Sequence, residues 1–561
     1  MAELTTGITT GPQTQIEGEE IDVHAAKTDL VMSVVTGPQH TEVGKPSRSG
    51  TCRTVHQEVV EDPESPGTRQ ISNICLQSEL DRKSCVYAQF PESADVEQIK
   101  KSFCSTGAAW EDESFPASTS SIYSDDVRPE YIPEDITWLR PREINPDAKL
   151  ITDGTTRFDI NQGRIGNCWF ISAVAGLTSN QELFDQVFNP GQDLNDNGSI
   201  SFRFYIGGEW KDLVIDDRLP TWKGKLLFLR SNDPQEFWPS LIEKAFAKIC
   251  GCYNDLTGGT FGEASSYFGG LTENFNIRGP YLDGLDPVYV KERLLEAASL
   301  GSLCGAAVYD LGSANSNSYS KWGLPSGHEY TLTGFTDTQI RVRNPWGGDI
   351  EWAGQKSDAD GEFWMDWLDF MTHFHQVQVA HYDLNAASGF DEKNKKSWKG
   401  QKAQGEWTVK TAGGCPNFPS FRYNKQYQLT VGSETSSNVH VLIALDQISA
   451  KRKQNGMEKH PVGFIVYKST PKQKLSKETL KSRAWVADSG LFRYEKQIVG
   501  RYTLPPGTYT IIPCTFFPGL KAKFLLRVFH SQQDTNLVSL NPVLDSQDQD
   551  SAEEDSSLVS N

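Results

Sequence analysis

The segment Gln162-Gly-Arg-Ile-Gly-Asn-Cys-Trp-Phe-Ile-Ser-Ala-Val-Ala runs a glycine-containing loop directly into an apolar stretch of helical length, with Cys168 at the junction. A helix start carries unpaired N–H groups and the positive end of the helix dipole, so this position favours a thiolate over a thiol. Gln162 lies six residues upstream, where its side-chain amide can join the Cys168 backbone N–H around a developing oxyanion. An ordinary packed cysteine at a helix start is the alternative reading, and it stays open on this segment alone.

A nucleophilic thiolate needs an imidazole partner and a group that orients it. Among ten histidines, His328 stands out in Gly327-His-Glu-Tyr-Thr-Leu-Thr-Gly-Phe, at the start of a strand pattern with a glycine before it. Asn344 follows sixteen residues later, in Ile340-Arg-Val-Arg-Asn-Pro-Trp-Gly. A strand, a turn and a return strand would bring the Asn344 amide to one ring nitrogen of His328. The other nitrogen would then face Cys168, with Trp346 shielding the hydrogen bond from water. Singly, His328 reads as a satisfied structural histidine and Asn344 as a turn residue before proline. In the order Cys, His, Asn they read as a catalytic set.

A chain of 561 residues exceeds what one hydrophobic core serves, so three or four units are expected. Ile200, Phe202, Phe204 and Ile206 alternate as in a strand, and Gly207-Gly208 turns that strand into Trp210–Asp216. Leu241, Ile242, Ala245 and Ile249 have helical spacing, which predicts a helix over Trp238–Ile249. Residues 328–382 read as several strands. Beyond them Gln426–Val431, Val439–Leu445, Val462–Tyr467 and Phe524–Phe529 read as short strands of a β-sandwich. The expected organisation is a flexible extension over 1–105 with a short helix near Val96–Phe103, core lobes over 106–270 and 271–385, a sandwich over 386–530, and an acidic disordered tail over 531–561.

With 54 Lys and Arg against 73 Asp and Glu, the formal charge is −19, which argues against a nucleic-acid binder. No run of 18 apolar residues occurs, so no membrane-spanning helix is expected. Met1 to Gly11 lacks the basic and apolar regions of a secretory signal. Ten cysteines spread without a CxxC pair fit reduced thiols in an intracellular protein. Asp193, Asn195, Asn197 and Gly198 occupy EF-hand loop positions, but Phe204 stands where a bidentate Glu is needed. An Asx/Gly turn entering a strand is the better reading. His375 and His381 fall on one strand face with Val377 and Val379, where a metal site has little support.

The chain resembles the calpains, intracellular calcium-dependent cysteine proteases, from about Phe115 to His530. The resemblance rests on Trp138-Leu-Arg-Pro-Arg-Glu-Ile, Gln162-Gly-Arg-Ile-Gly-Asn-Cys-Trp-Phe, Asp216-Asp-Arg-Leu-Pro-Thr, Glu236-Phe-Trp, Arg341-Val-Arg-Asn-Pro-Trp-Gly and Asp360-Gly-Glu-Phe-Trp-Met. It implies an α+β fold: a papain-like two-lobed cysteine protease core followed by an all-β sandwich domain. It implies Cys168 as nucleophile, His328 as general acid/base, Asn344 as its orienter and Gln162 as oxyanion donor. The implied activity is calcium-dependent, limited cleavage of protein substrates in the cytoplasm. Asn167 departs from the family's usual Asp, which removes a carboxylate beside the thiolate.

The resemblance also implies two calcium sites in the core. Asp159 and Glu236 would supply carboxylates to the first, and Thr152 and Gly154 backbone carbonyls, a donor set suited to a hard cation. Asp159 as a partner of Arg157 is the plainer reading, and the two are compatible. Glu351, Asp360 and Glu362, with Asp358, match the second, but only eight residues, Ala353 to Asp360, separate Trp352 from Gly361, fewer than the family usually has. The sandwich keeps a basic stretch, Lys451-Arg-Lys, that could meet anionic lipid, although a solvated turn is the plainer reading. Its loop Gly432-Ser-Glu-Thr-Ser-Ser-Asn offers only Glu434 where the family is often acidic. With no complete EF-hand pattern, an EF-hand small subunit is not an expected partner. Two rival readings remain: a calpain-like scaffold with weak or no catalysis, and acyl transfer of the transglutaminase kind, against which Asn344 in place of Asp speaks.

Overall fold

The computed structural model describes residues 94–540, apart from 125–126, 190, 196, 278–284, 310–322, 348–351, 353–360, 383–398, 433–437, 449–451, 454–455, 458 and 531–535, together with the short strands at 53–54 and 75–76. The expectations for most of the N-terminal extension, for Glu351, Asp358 and Asp360, for Glu434, for Lys451 and for the tail beyond residue 540 lie outside the described residues. Asn536–Leu540, expected within the disordered tail, instead pairs with Gln426–Val431 as a strand of the sandwich. The short helix expected near Val96 spans Val96–Thr106 and ends at Gly107 in a left-handed turn.

Helix Cys168–Leu177 is apolar on nearly every side, so it is stable only inside a core, and each of its residues is buried. Helix Trp238–Cys250 packs into the same core and is also buried along its whole length, although it carries Glu243, Lys244 and Lys248. Buried ionisable groups need partners. Lys244 meets Asp216, Lys248 Nζ donates to Asp112 Oδ2 at 2.7 Å, and Glu243 accepts from Asn167. The hairpin Ser199–Ile206 and Glu209–Asp216 turns Ile200, Phe202, Phe204 and Ile206 inward, as their alternation predicts. The stretch with an EF-hand-like beginning is a turn: Asn197 Oδ1 accepts from the Ser199 N–H at 2.9 Å, and Gly198 adopts φ 71° before the strand.

A six-stranded antiparallel sheet follows, in the order Glu362–Asp366, Gln339–Arg343, His328–Phe335, Leu303–Val308, Gln376–His381, Leu271–Asn276. Its own core includes Val290, Leu294, Tyr330, Val342, Phe370 and Val377. Helix Cys168–Leu177 is tied to the middle of this sheet, where Thr331 Oγ1 donates to Ser172 O at 3.0 Å and Ser172 Oγ to Glu329 O at 3.3 Å. His375 and His381 are satisfied structural groups. His375 Nδ1 accepts from the Tyr309 N–H, while His381 lies between Glu273 and Ser302.

Beyond residue 398 the chain forms a β-sandwich of a four-stranded and a five-stranded sheet around Trp407, Tyr427, Ile443, Phe464 and Phe524. The strands expected from sequence are present as Gln426–Val431, Val439–Gln447, Val462–Ser469 and Ala522–His530. The sandwich docks on the core through polar contacts. Gln497 Oε1 accepts from the Thr272 N–H at 2.8 Å, Arg501 Nε donates to Glu273 at 2.9 Å, and Lys459 pairs with Glu263.

Candidate active site

The loop before Cys168 is pinned along its backbone. Asn161 exchanges two hydrogen bonds with Arg230, at 2.9 and 3.1 Å, and the Gln162 N–H donates to Pro345 O at 3.2 Å. Gly163 has no room for a side chain, since a Cβ there would fall 2.3 Å from the Phe228 carbonyl carbon. The Asn167 carbonyl takes the first helical N–H groups, from Phe170 and Ile171. Cys168 is therefore the first residue of its helix, as the loop-to-helix pattern predicts.

His328 begins its strand, Gly327 before it lies at φ 67°, and Asn344 follows the next strand directly. Antiparallel pairing of Thr331 with Arg343 brings the two side chains together. His328 Nε2 lies 2.9 Å from Asn344 Oδ1, and the Trp346 N–H donates to the same oxygen at 3.1 Å. A backbone N–H can only donate, so the atom it meets is the amide oxygen. His328 must then carry its proton on Nε2, which leaves Nδ1 as the ring nitrogen that can serve a thiol. The Trp346 ring lies 4.5 Å from the imidazole, centroid to centroid, and covers this bond.

The charge state differs from the sequence expectation. Burial pushes the Cys168 thiol up to about 12, against a lowering hydrogen bond from the Glu329 backbone, and the Glu329 carboxyl raises it further. Burial likewise lowers His328 to about 4, against the Asn344 hydrogen bond that raises it. In this arrangement the thiol and the imidazole are both neutral. The helix dipole favours a thiolate, but its typical ~0.3–1 kcal/mol is smaller than the cost of burying the charge.

Asn167 is fully buried, and its side chain points away from the helix mouth. Its Nδ2 donates to Glu243 Oε1 at 2.7 Å, while Glu243 Oε2 accepts from the Leu229 N–H at 2.9 Å. Burial pushes the Glu243 carboxyl up to about 8, so it keeps a proton at neutral pH. An Asp at 167 would meet another carboxyl there, whereas the amide of Asn167 donates to it. Gln162 Nε2 donates to Ile165 O at 2.8 Å, so one of its two amide hydrogens is engaged. Sequence reading missed Glu243, and the signal was present: a carboxylate on an otherwise apolar helix face needs a buried donor.

Two of the expected calcium ligands come together. Glu236 Oε1 accepts from the Thr152 N–H at 3.0 Å and its Oε2 from Ser231 Oγ at 2.8 Å. Burial pushes Glu236 up to about 7, and the charges of Asp159 and Asp233 raise it further. Thr152 Oγ1 and Thr155 Oγ1 nearby are buried with no hydrogen-bond partner. An oxygen-rich spot with crowded negative charge and orphaned oxygens fits a hard cation. Among the described residues no three His, Cys, Asp or Glu side chains converge as a ligand group, so backbone oxygens, such as those of Thr152 and Gly154, would have to complete the shell. Asp159 accepts from the Thr156 N–H and hydroxyl rather than from Arg157. Arg157 reaches across to Glu362 through Nε and Nη2, and Arg341 Nε lies 3.4 Å from the same carboxylate. Glu362, held by two guanidinium groups, does not fit a cation ligand in this arrangement.

The family model described as calpain family cysteine protease matches residues 110–360, and that described as calpain large subunit, domain III, matches residues 403–529. The chain is 37% identical over 475 residues to Calpain-9 of Rattus norvegicus, covering 78% of this chain and 67% of that protein. It is 34% identical to Calpain-B of Drosophila melanogaster, covering 78% and 51%, and 33% identical to Calpain-2 catalytic subunit of Mus musculus, covering 78% and 68%. It thus spans between half and about two thirds of these relatives. With two family matches in chain order and a cysteine-bearing helix packed against a His–Asn strand pair, the chain belongs to the calpain family of cysteine proteases.

Proposed function

We propose that this chain is a calcium-dependent cysteine endopeptidase making limited cuts in protein substrates. The observation that supports the reading is the double acceptance at Asn344 Oδ1, which sets the His328 proton on Nε2 and leaves Nδ1 as the base the reaction would use. In the proposed reaction Nδ1 takes the Cys168 proton and Sγ attacks the substrate carbonyl carbon. The oxyanion is stabilised by the Cys168 backbone N–H and the second amide hydrogen of Gln162. The C–N bond breaks as His328 gives its Nδ1 proton to the leaving amine. His328 then deprotonates a water that attacks the thioester, releasing the acid and restoring the thiol. Bound at Thr152, Gly154, Asp159 and Glu236, calcium would neutralise the negative charge gathered there.

Substrates of this reading are extended, exposed segments of proteins, because folded chains cannot lie along a cleft between lobes. A cytoplasmic setting fits the dispersed cysteines, and contact of the sandwich with anionic lipid through the basic stretch Lys451-Arg-Lys is part of the same proposal. The test is casein cleavage by the purified chain with calcium or chelator, alongside Cys168→Ser. Calcium-dependent cleavage that the variant lacks is the expected result. No cleavage together with calcium-dependent binding to anionic liposomes would replace the protease by a scaffold.

A further inference from the structure

Beside His328 lies a carboxyl group that the proposed reaction does not use. Glu329 is 5% exposed, and its neighbourhood is built of polar groups fitted to it. Its Oε1 accepts from Gln378 Nε2 at 2.9 Å, and Gln378 Oε1 in turn accepts from the Gly262 N–H at 2.7 Å. Gly262 permits this approach, because a Cβ there would lie 2.7 Å from Thr272 Cγ2 and 3.1 Å from the Gln378 oxygen. Glu329 Oε2 is buried with no partner. The backbone of the same residue hydrogen-bonds the Cys168 thiol and accepts from Ser172 Oγ. One residue therefore touches the nucleophile, adjoins the histidine in sequence, and is anchored to the helix Phe261–Tyr267.

We infer that Glu329 is a positioning residue of the cysteine–histidine pair: its side chain, tied through Gln378 to the backbone of Gly262, sets how the strand carrying His328 sits against Cys168. This rests on the protease reading above. The charge on Glu329 matters for the same geometry. Burial pushes its carboxyl up to about 8, against the lowering hydrogen bonds of Gln378 and the Phe261 backbone, and Glu495 raises it further. The ionisable groups facing it are Cys168 from the helix, Tyr309 from the end of the neighbouring strand, and Glu495 from the sandwich. Glu495 itself pairs with Arg493, which also acts on Tyr309, and accepts from Asn274 Nδ2 at 2.8 Å. His328 is the adjacent residue on the strand. As pH rises through the Glu329 titration, a negative charge appears beside Cys168 and opposes formation of the thiolate. The uncharged acid is the working form.

The experiment measures, between pH 6 and 10 and in calcium, both the rate of iodoacetamide modification of Cys168 and kcat/KM on a fluorogenic peptide. Wild type, Glu329→Gln, Glu329→Ala and Gln378→Leu are compared. Glu329→Ala should lower kcat/KM by about tenfold or more at pH 7, and Glu329→Gln should recover most of that loss, because an amide oxygen still accepts from Gln378. Glu329→Gln should also move the rise of the modification rate down by about one pH unit, since the amide cannot ionise and no longer opposes the thiolate. Gln378→Leu should move it the same way, because the ionised carboxylate loses a donor, and it keeps the test open if the Glu329 variants misfold. Modification profiles that superimpose on wild type for every folded variant would overturn the inference. Cys168 modification needs no turnover, so a chain that never cleaves peptide would refute the protease reading while the profiles still decide the role of Glu329.

Discussion

The neutral, buried thiol of Cys168 makes a quantitative prediction about reactivity. With its proton affinity pushed up to about 12, the thiolate fraction at pH 7.5 is about 3 × 10⁻⁵, whereas an exposed free thiol in water is roughly one tenth ionised. The difference is about 3 × 10³-fold, or about 5 kcal/mol, before any slowing from the 8% exposure of the residue. Cys104 is exposed in the same chain and serves as an internal clock. In chelator, mass-spectrometric timing of iodoacetamide labelling should show Cys168 reacting at least about a thousandfold more slowly than Cys104. Its rate should climb about tenfold per pH unit through pH 10 without levelling, because the thiol titrates above that range. Calcium should bring Cys168 to the rate of Cys104 or beyond, since a working nucleophile requires an ionised sulfur. Equal labelling of the two cysteines in chelator would refute the burial argument, and an unchanged Cys168 rate in calcium would refute calcium control of this centre.

Asn344→Ala removes the buried acceptor shared by the His328 Nε2–H and the Trp346 N–H, so kcat should fall by about a hundredfold or more while urea melts show a loss of about 1–3 kcal/mol that leaves the chain folded under assay conditions. Arg157→Ala removes one of the guanidinium groups that hold the nearly buried Glu362 carboxylate, and urea melts in chelator should show a loss of about 1–3 kcal/mol. Glu243 binds a proton in the folded chain up to about pH 8, which the unfolded chain releases above about 4.3. Its contribution therefore lowers stability by about 1.4 kcal/mol per pH unit between about pH 5 and 8 and levels off above. Glu243→Gln should flatten that part of the stability curve in urea melts run across this range, and an unchanged slope would show that the carboxyl is ionised in the fold.

Elements set by contacts along the chain were legible before any coordinates. The alternation of Ile200, Phe202, Phe204 and Ile206 marked a strand, and each of those side chains is buried. The helical spacing of Leu241, Ile242, Ala245 and Ile249 placed a helix that proves one residue longer than expected, ending at Cys250. The sandwich strands were found to within three residues at each end, because short apolar runs between turn-forming clusters have few other ways to hide. The meeting of His328 and Asn344 was readable for the same reason, since a strand, a turn and a return strand is a local device.

Charges and their partners were not legible in this way. Arg157 lies two residues from Asp159, yet it crosses to Glu362, 205 residues away in sequence. Asn167 looks like a lost charge beside the nucleophile until the helix Trp238–Cys250 presents Glu243 to it. Cys168 sits at a helix mouth, as its sequence says, but the strand from His328 covers that mouth and the thiol stays protonated. Periodicity and turn residues report on neighbours along the chain. Desolvation and ion pairing sum over every group packed nearby, and only the folded arrangement brings those groups together.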